Sequence, residues 1–244
     1  MDSYIHPCHP KDLPPLISIF VLFFSTASNN NIPRIASILA TLRREYGRRI
    51  PIPQGYNTGE ENAYSFPSLE ELRGKVTEAD LRRLGWGYRA KYVIQTMETL
   101  HNLGGEAYLS TLRNQKDLVA VQEALLHFAG VGRKVADCVA LFSLQQTRAI
   151  PVDVHVWNIA RRDYDPDQAL ATVKSLTPGI YKQVGDIFRD RFGGYAGWAH
   201  SLLFVAELPS FRPALPKAML QEMEEFKQLE QARKQQLKEA KAKK

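Results

Sequence analysis

The nine residues GVGRKVADC, at positions 130–138, decide the fold of this chain. Gly130 and Gly132 permit a tight reversal and a close approach of the backbone to a ligand, because glycine has no Cβ atom. An amphipathic pattern at 118–128 precedes the glycines, and another at 133–144 follows them. The stretch predicts two helices joined by a tight turn. Such a turn either merely connects the helices or also binds a phosphate group through the free N–H groups of the second helix.

Lys134 lies in the first turn of the second predicted helix. The helix dipole disfavours a cation at this end of a helix. If the site is also shielded from water, the neutral amine is favoured, and this is the nucleophilic form of lysine. Lys134 is therefore a candidate nucleophile, and a solvated surface lysine is the alternative.

Asp153 directly precedes a helical pattern in PVDVHVWNIARRDY, at positions 151–164. An aspartate in this place accepts hydrogen bonds from the first N–H groups of the helix and so caps it. A capping carboxylate that faces a cleft can also act electrostatically. The two roles of Asp153 are therefore compatible.

The rest of the chain predicts an all-α architecture, because no strand-type alternation persists in it. Residues 1–15 contain four prolines and are predicted to be irregular. LISIFVLFF, at 16–24, is either the core of a secretory signal or a buried helix; we favour the helix, and the run is too short to span a bilayer. Residues 217–244 are rich in Glu, Lys and Gln, which is typical of a solvated helix or a disordered tail.

Composition limits the function classes. The formal net charge is +6, a mild excess that fits phosphate binding without requiring it. Cys8 and Cys138 are the two cysteines of the chain, which is too few for a four-cysteine zinc site or iron–sulfur cluster. They also give no disulfide framework, so we expect a reducing compartment.

Several stretches together resemble a known family. GVGRKVADC followed by PVDVHVWNIARRDY is similar to the helix-hairpin-helix DNA glycosylases, in particular to the eukaryotic 8-oxoguanine DNA glycosylase/AP lyases. The resemblance covers about residues 16–215. It is extended, in the same order as in the family, by SNNNIPRI (28–35), FPSLEEL (66–72), LGWGYRAKYV (84–93) and YAGWAHSLLFVAEL (195–208).

The resemblance implies an all-α helix-hairpin-helix DNA glycosylase fold, with two helical subdomains flanking a DNA-binding cleft. The implied domain organisation is an irregular segment at 1–15, a helix-hairpin-helix catalytic subdomain at 16–34 and 111–215, an inserted helical subdomain at 35–110, and a basic tail, helical or disordered, at 216–244.

The same resemblance assigns the chemistry. Lys134 resembles the nucleophile that attacks the sugar C1′ atom, expels the base and forms a Schiff base, from which β-elimination nicks the strand. Asp153 resembles the carboxylate that stabilises the positive charge developing on the sugar. The resemblance implies no organic cofactor and no metal.

Other residues resemble the family's DNA contacts. Asn29 resembles the residue that fills the hole left by the flipped base, Arg34 and Arg89 its partners in reading the cytosine, and Tyr88 the aromatic wedge that kinks the duplex. The ordinary alternatives are a helix cap, surface charges and core filler. The hairpin residues Gly130, Val131 and Gly132, together with His155, resemble contacts to the DNA backbone.

The base pocket is implied to contain Cys138, His200 and Phe204. Cys138 is one helical turn from Lys134, and Phe204 resembles the aromatic residue that stacks on the flipped base. His200 occupies the position where the family has a glutamine that reads the base edge. A core role is the alternative for each of these residues.

Two further departures from the family are present. Residues 1–15 resemble nothing in the family's N-terminal domain, so we expect that domain to be missing and damage discrimination to be affected. The usual Leu-Pro-Gly of the hairpin is Phe128-Ala129-Gly130 here, which should soften the turn slightly.

The expected function is therefore excision of 8-oxoguanine opposite cytosine, with AP lyase activity. The alternatives are a truncated DNA-binding remnant that has lost or weakened excision, and a glycosylase for another damaged base. The expected partner is double-stranded DNA containing oxidised guanine. We expect a monomer without membrane contact, located in the nucleus, with the mitochondrion as a second candidate compartment.

Overall fold

The computed structural model describes residues 32–52, 63–165, 169–170 and 173–242. Over these ranges the chain is mostly helical, which confirms the all-α prediction. The described residues fall into two compact units, one ending at Pro151 and the other beginning at Val152; we call them unit 1 and unit 2. The predicted division into a catalytic and an inserted subdomain stays a prediction.

Unit 1 consists, in its described residues, of seven helices and a two-stranded antiparallel ladder that pairs Arg49 with Tyr64. Several of its helices begin where the sequence predicts a start. The Ser68 hydroxyl accepts a hydrogen bond from the Glu71 N–H (3.2 Å), and the Ser68 N–H donates one to Glu71 Oε2 (2.7 Å), which completes a capping box. The elements are α1 (Ile32–Tyr46), β1 (Arg49–Ile50), β2 (Ala63–Tyr64), α2 (Leu69–Leu72), α3 (Glu78–Arg83), α4 (Arg89–Asn102), α5 (Glu106–Asn114), α6 (Leu118–Leu126) and α7 (Arg133–Phe142).

The core of unit 1 holds these helices together. Most of them are too short to be stable as isolated helices in water, so their stability depends on burial of an apolar face. Each of the seven helices contributes a leucine that is almost completely buried: Leu42, Leu72, Leu81, Leu100, Leu109, Leu125 and Leu141.

Unit 2 contains, in its described residues, four α-helices: α8 (Val154–Asp163), α9 (Pro178–Phe192), α10 (Ala196–Glu207) and α11 (Lys217–Ala242). The buried face of α8 follows helical spacing and consists of Val156, Ile159 and Ala160. An aromatic cluster joins the end of α8 to α9: the Tyr164 ring lies 5.6 Å from both Phe188 and Phe192.

Helix α11 differs from the solvated or disordered tail that the composition suggests. It is continuous from Lys217 to Ala242. Met223 is buried, and Glu230 forms a bidentate ion pair with Arg161 of α8. A few widely spaced anchors therefore attach this helix to unit 2, and the polar residues between them obscure the pattern in the sequence.

Within the described part of the chain, no helix is both long and apolar enough to cross a membrane. The apolar run at 16–24 and the irregular segment at 1–15 lie outside the described residues.

Candidate functional site

The predicted helix-turn-helix is present in unit 1, where α6 ends at Leu126 and α7 begins at Arg133. The turn between them is closed by a hydrogen bond from the Val131 N–H to the Phe128 carbonyl oxygen (3.1 Å). The hydroxyl of Thr96, on α4, donates to the Ala129 carbonyl oxygen (3.4 Å). The turn is therefore fixed both by its own backbone and by α4.

Gly130 is required at its position for two reasons. Its φ of +76° lies in the left-handed region, which residues with a Cβ atom rarely adopt. In addition, a Cβ atom at this position would lie 2.8 Å from Cδ2 of Tyr92. The missing side chain lets the Tyr92 ring pack directly on the turn.

Gly132 has a different role. It is the N-cap of α7, and no atom of the described chain lies within 4 Å of the position where its Cβ would be. The first-turn N–H groups of a helix have no acceptor within the helix. The open space beside Gly132 therefore lies where an anion can approach these groups.

Val131 lies between the two glycines but faces inward. Its side chain is buried, and its N–H is already bonded to Phe128. Of the three hairpin residues predicted to contact DNA, Val131 therefore packs in the core, and Gly132 lies at the open face. The predicted DNA contacts themselves are not tested by this geometry.

Lys134 occupies the first turn of α7, as predicted, and its side chain is exposed. Cys138, one turn further on, is buried. Unit 1 by itself therefore leaves the amine in contact with solvent. Shielding of Lys134 from water has to come from a bound molecule or from outside unit 1.

A second cluster in unit 1 lies at the start of α4. The Arg89 guanidinium is 4.4 Å from the centre of the Tyr88 ring, and the Arg89 side chain is buried. Tyr88 is about half exposed, and its ring meets Tyr92 edge to face at 5.9 Å. Arg89 is therefore not an ordinary surface charge, and Tyr88 is not core filler. Arg34 is exposed and donates to the Gly85 carbonyl oxygen (3.3 Å), just before α4.

Tyr92 is the residue that sequence reasoning missed. Its ring contacts Tyr88 on one side and the turn at Gly130 on the other. It thereby connects the predicted wedge to the hairpin that carries Lys134. The i, i+4 spacing of the two tyrosines was the available signal, since it puts both on one helix face.

In unit 2, Asp153 is the N-cap of α8. Its Oδ1 atom accepts hydrogen bonds from the N–H groups of His155 (2.9 Å) and Val156 (3.1 Å), so the predicted cap is present. The Asp153 side chain is half-buried, between buried Val152 and exposed Val154. The cap holds the carboxylate at one place on the surface of unit 2.

The predicted pocket residues of unit 2 form a row of rings. His200 is buried and stacks on Phe204, with ring centres 6.4 Å apart and planes at 25°. His155 meets Phe204 edge to face at 5.9 Å, and Phe188 meets His200 edge to face at 6.2 Å. His200 and Phe204 therefore share one face of α10, as their spacing predicts, and Phe204 lies between the two histidines.

Two predictions have limited tests. Asn29 lies outside the described residues. In the described ranges, no group of three or more His, Cys, Asp or Glu side chains could hold a metal ion.

Known proteins share both the sequence and the fold. No protein-family model matches the chain. The N-glycosylase/DNA lyase OGG1 of Arabidopsis thaliana is 42% identical over 194 residues, covering 79% of this chain and 50% of that protein. An N-glycosylase/DNA lyase of Saccharomyces cerevisiae is 39% identical over 209 residues, covering 77% of this chain and 54% of the yeast protein. The chain thus spans about half the length of the curated relatives it matches.

A solved structure gives the same result. The 8-oxoguanine glycosylase/lyase of Clostridium acetobutylicum, in complex with double-stranded DNA containing cytosine opposite 8-oxoguanine, superimposes with a TM-score of 0.62 and 30% identity. The match covers 78% of this chain and 58% of the clostridial chain. These similarities confirm the resemblance that the motifs carry.

Proposed function

Since this chain belongs to the N-glycosylase/DNA lyase family of helix-hairpin-helix DNA glycosylases, we propose that it excises 8-oxoguanine opposite cytosine and then nicks the strand. The observation that carries the proposal is the hairpin of unit 1. It combines an open glycine N-cap at Gly132 with a lysine, Lys134, in the first turn of the same helix.

The hairpin geometry suits a nucleophile aimed at a sugar. A phosphate held by the first-turn N–H groups of α7 would bring the adjacent deoxyribose close to Lys134. The same helix terminus disfavours the charged ammonium form. A bound duplex would also remove water from Lys134, which is exposed in the structure. The neutral amine that the attack needs is therefore favoured when DNA is present.

The proposed reaction proceeds through two bond exchanges. Nζ of Lys134 forms a bond to C1′ while the C1′–N9 bond breaks, and the base leaves with the electron pair and takes up a proton. The amine loses its protons as the sugar ring opens to an imine, the Schiff base. Loss of a C2′ proton then expels the 3′ phosphate by β-elimination, which nicks the strand.

Asp153 is proposed to stabilise the positive charge that develops on the sugar. Two backbone N–H groups fix its carboxylate at the N-terminus of α8. A preorganised charge of this kind acts without reorganisation at the moment of reaction. The capping role and the catalytic role are thus served by one geometry.

The remaining residues are proposed to read the DNA. Phe204 stacks on the flipped base, and His200 meets its edge. Tyr88 wedges into the duplex, with Arg89 stacked on its ring, and Arg34 and Asn29 contact the cytosine left unpaired. The half-exposed ring of Tyr88 supports the wedge role, because an intercalating side chain has to be accessible.

Borohydride trapping tests the proposal. The protein is incubated with a duplex containing 8-oxoguanine opposite cytosine, and the Schiff base is reduced to a stable adduct. We expect an adduct with the natural chain and none with Lys134→Gln, while DNA binding persists. Lys116→Gln, which changes an exposed lysine of the same unit, is the control and should trap normally. An adduct with Lys134→Gln would show that the nucleophile is another residue.

The exposed Lys134 amine also supports a second candidate, a DNA-binding protein without excision. The same experiment separates the two. Binding of the duplex without any adduct, on a panel of oxidised and alkylated bases, would favour the binding protein. An adduct with a lesion other than 8-oxoguanine would favour a glycosylase of different specificity.

A further inference from the structure

The charged end of α8 carries a network that the proposed chemistry does not use. Arg161 Nη1 donates to Glu230 Oε2 (2.9 Å), and Arg161 Nη2 donates to Glu230 Oε1 (2.7 Å). The two side chains are 9% and 18% exposed. A paired, bidentate arginine–carboxylate contact with so little solvent access has a defined geometry, unlike an ordinary surface ion pair.

The neighbouring arginine makes a second connection. Arg162 Nη1 donates to Glu207 Oε1 at the end of α10 (2.7 Å), and its guanidinium lies 5.9 Å from the Phe226 ring of α11. Although burial lowers the pKa of Arg162, hydrogen bonds to Asp163 and Glu207 outweigh this effect and raise the pKa above its usual value. Arg162 therefore stays charged and joins α8 to α10.

Cations in the last turn of α8 also interact favourably with the helix dipole. The guanidinium of Arg161 lies 5.7 Å from the Trp157 ring, one turn earlier on the same helix. Arg161 is thus held between an aromatic ring of α8 and a carboxylate of α11. The C-terminal end of α8 is fixed by α11 through Arg161 and by α10 through Arg162.

The other end of α8 carries the functional groups. Asp153 caps it, and His155 lies in its first turn against Phe204. The Tyr181 hydroxyl of α9 accepts a hydrogen bond from the Val152 N–H, just before the cap (3.2 Å). A short helix moves as a rigid body, so release of one end changes the position of the groups at the other end.

We propose that Glu230 is a positioning residue, and that α11 acts through the Glu230–Arg161 pair to hold α8 so that Asp153 and His155 keep their places in the site. This inference rests on the proposed function for its catalytic consequence. Its structural part, the fixing of α8 by α11, does not. It also replaces the expectation that residues 216–244 only attract phosphates.

The test uses the full chain with Glu230→Gln, which keeps the side-chain shape but removes the charge. The matched control is Glu222→Gln, the same change at an exposed position of the same helix. Both variants lose one negative charge, so general electrostatic attraction to DNA changes equally. Glu230→Asp keeps the charge but shortens the reach, and it serves as the conservative variant if Glu230→Gln folds poorly.

Two readouts are needed. Hydrogen–deuterium exchange of the peptide that covers α8 reports its stability without any activity. We expect faster exchange in Glu230→Gln than in Glu222→Gln. The single-turnover excision rate should fall about 10-fold to 100-fold in Glu230→Gln, with little change in duplex affinity, because a misplaced catalytic group slows the chemical step.

A double-mutant cycle with Asp153→Asn separates positioning from general destabilisation. If Glu230 acts through Asp153, the two rate losses combine to less than their product. Multiplicative losses would overturn the positioning role, and so would unchanged exchange and rate in Glu230→Gln. If the natural chain excises no lesion but exchange of α8 still rises in Glu230→Gln, the proposed function fails and the fixing of α8 by α11 stands.

Discussion

The ring of Tyr92 lies where a side chain at Gly130 would have to be: Cδ2 of Tyr92 is 2.8 Å from the position of a Cβ atom on Gly130. The hairpin of unit 1 can therefore close against α4 only with glycine at this position. The contact explains why the turn tolerates Ala129 where the family has proline. Tyr92, the Thr96 hydroxyl bond to Ala129 and the Val131–Phe128 bond all restrain the same few residues.

Gly130→Ala is expected to destabilise the chain by about 2–4 kcal/mol, since it combines a left-handed backbone with overpacking against Tyr92. Gly132→Ala is the matched control, because its φ is −95° and its surroundings are open. We expect Gly132→Ala to weaken DNA binding more than stability. Urea denaturation and duplex titration measure the two effects. Equal loss of stability in both variants would contradict the distinction.

The capping box of α2 should make stability depend on pH. A hydrogen bond from the Ser68 backbone N–H, supported by the Ser68 hydroxyl, holds the pKa of Glu71 below its usual value. A depressed carboxyl pKa stabilises the fold above the pKa of the unfolded chain, and this stabilisation is lost as pH falls through the folded-state pKa. Ser68→Ala and Glu71→Gln should each lower the free energy of unfolding by about 1 kcal/mol at neutral pH.

Urea titrations at neutral and at acid pH check this prediction. The difference between Glu71→Gln and the natural chain should shrink as the solution becomes acidic. Glu70→Gln, an exposed neighbour, should show no such trend. A difference that stays constant with pH would mean that the Glu71 carboxylate is not what stabilises the box.

Asp153→Asn should separate the two roles of this residue. Asparagine caps helices about as well as aspartate, so the melting temperature should change little. Loss of the charge should slow excision by roughly 10²–10⁴-fold, the range for a positioned acid–base group. Asp117→Asn, the same change at the N-cap of α6, is the control. If Asp153→Asn lowers stability and leaves turnover intact, capping is the whole role of Asp153.

His200 should make excision depend on pH between about pH 5.5 and 7.5, because histidine ordinarily titrates near neutrality and glutamine does not. Its ring stacks on Phe204, so a base stacked on Phe204 would lie near it. His200→Gln should flatten part of the pH dependence and preserve or raise activity. Single-turnover rates across this range are compared with those of His127→Gln, an exposed control. Superimposable profiles for His200→Gln and the natural chain would place His200 away from the base.

The tail requires a different experiment from simple truncation. Deleting residues 217–244 would remove Met223 and Glu230 from unit 2 as well as basic side chains. Replacing Lys241, Lys243 and Lys244 by Gln changes charge alone. We expect weaker DNA binding at low salt, a salt dependence that is shallower by about 0.9 for each phosphate no longer neutralised, and unchanged lesion preference. A changed lesion preference would indicate that the end of the chain reaches the site.

Sequence reasoning succeeded where the signal was local. The glycine turn, the Ser68 capping box, the Asp153 cap and the shared face of His200 and Phe204 all depend on residues a few positions apart, and each is present in the structure. Local spacing fixes such features because the geometry of a helix is regular.

The long-range features could not be predicted in the same way. The packing of Tyr92 on Gly130 and the pairing of Arg161 with Glu230 join distant parts of the chain. Nothing in the composition of residues 217–244 distinguishes Glu230 from the other glutamates of the tail. The burial of Arg89 is equally invisible in the sequence, because an arginine at a helix start is ordinarily solvated.

The Arg161–Glu230 pair also has a consequence for how the chain is made. Its two residues are 69 positions apart, and Glu230 is the later of the two. Because a ribosome delivers the chain from its N-terminus, unit 1 and its hairpin can fold while unit 2 is still being synthesised. Helix α8 reaches its final attachment only when α11 has emerged. Premature termination within α11 would therefore release a product with a finished nucleophile hairpin and a loosely held aspartate.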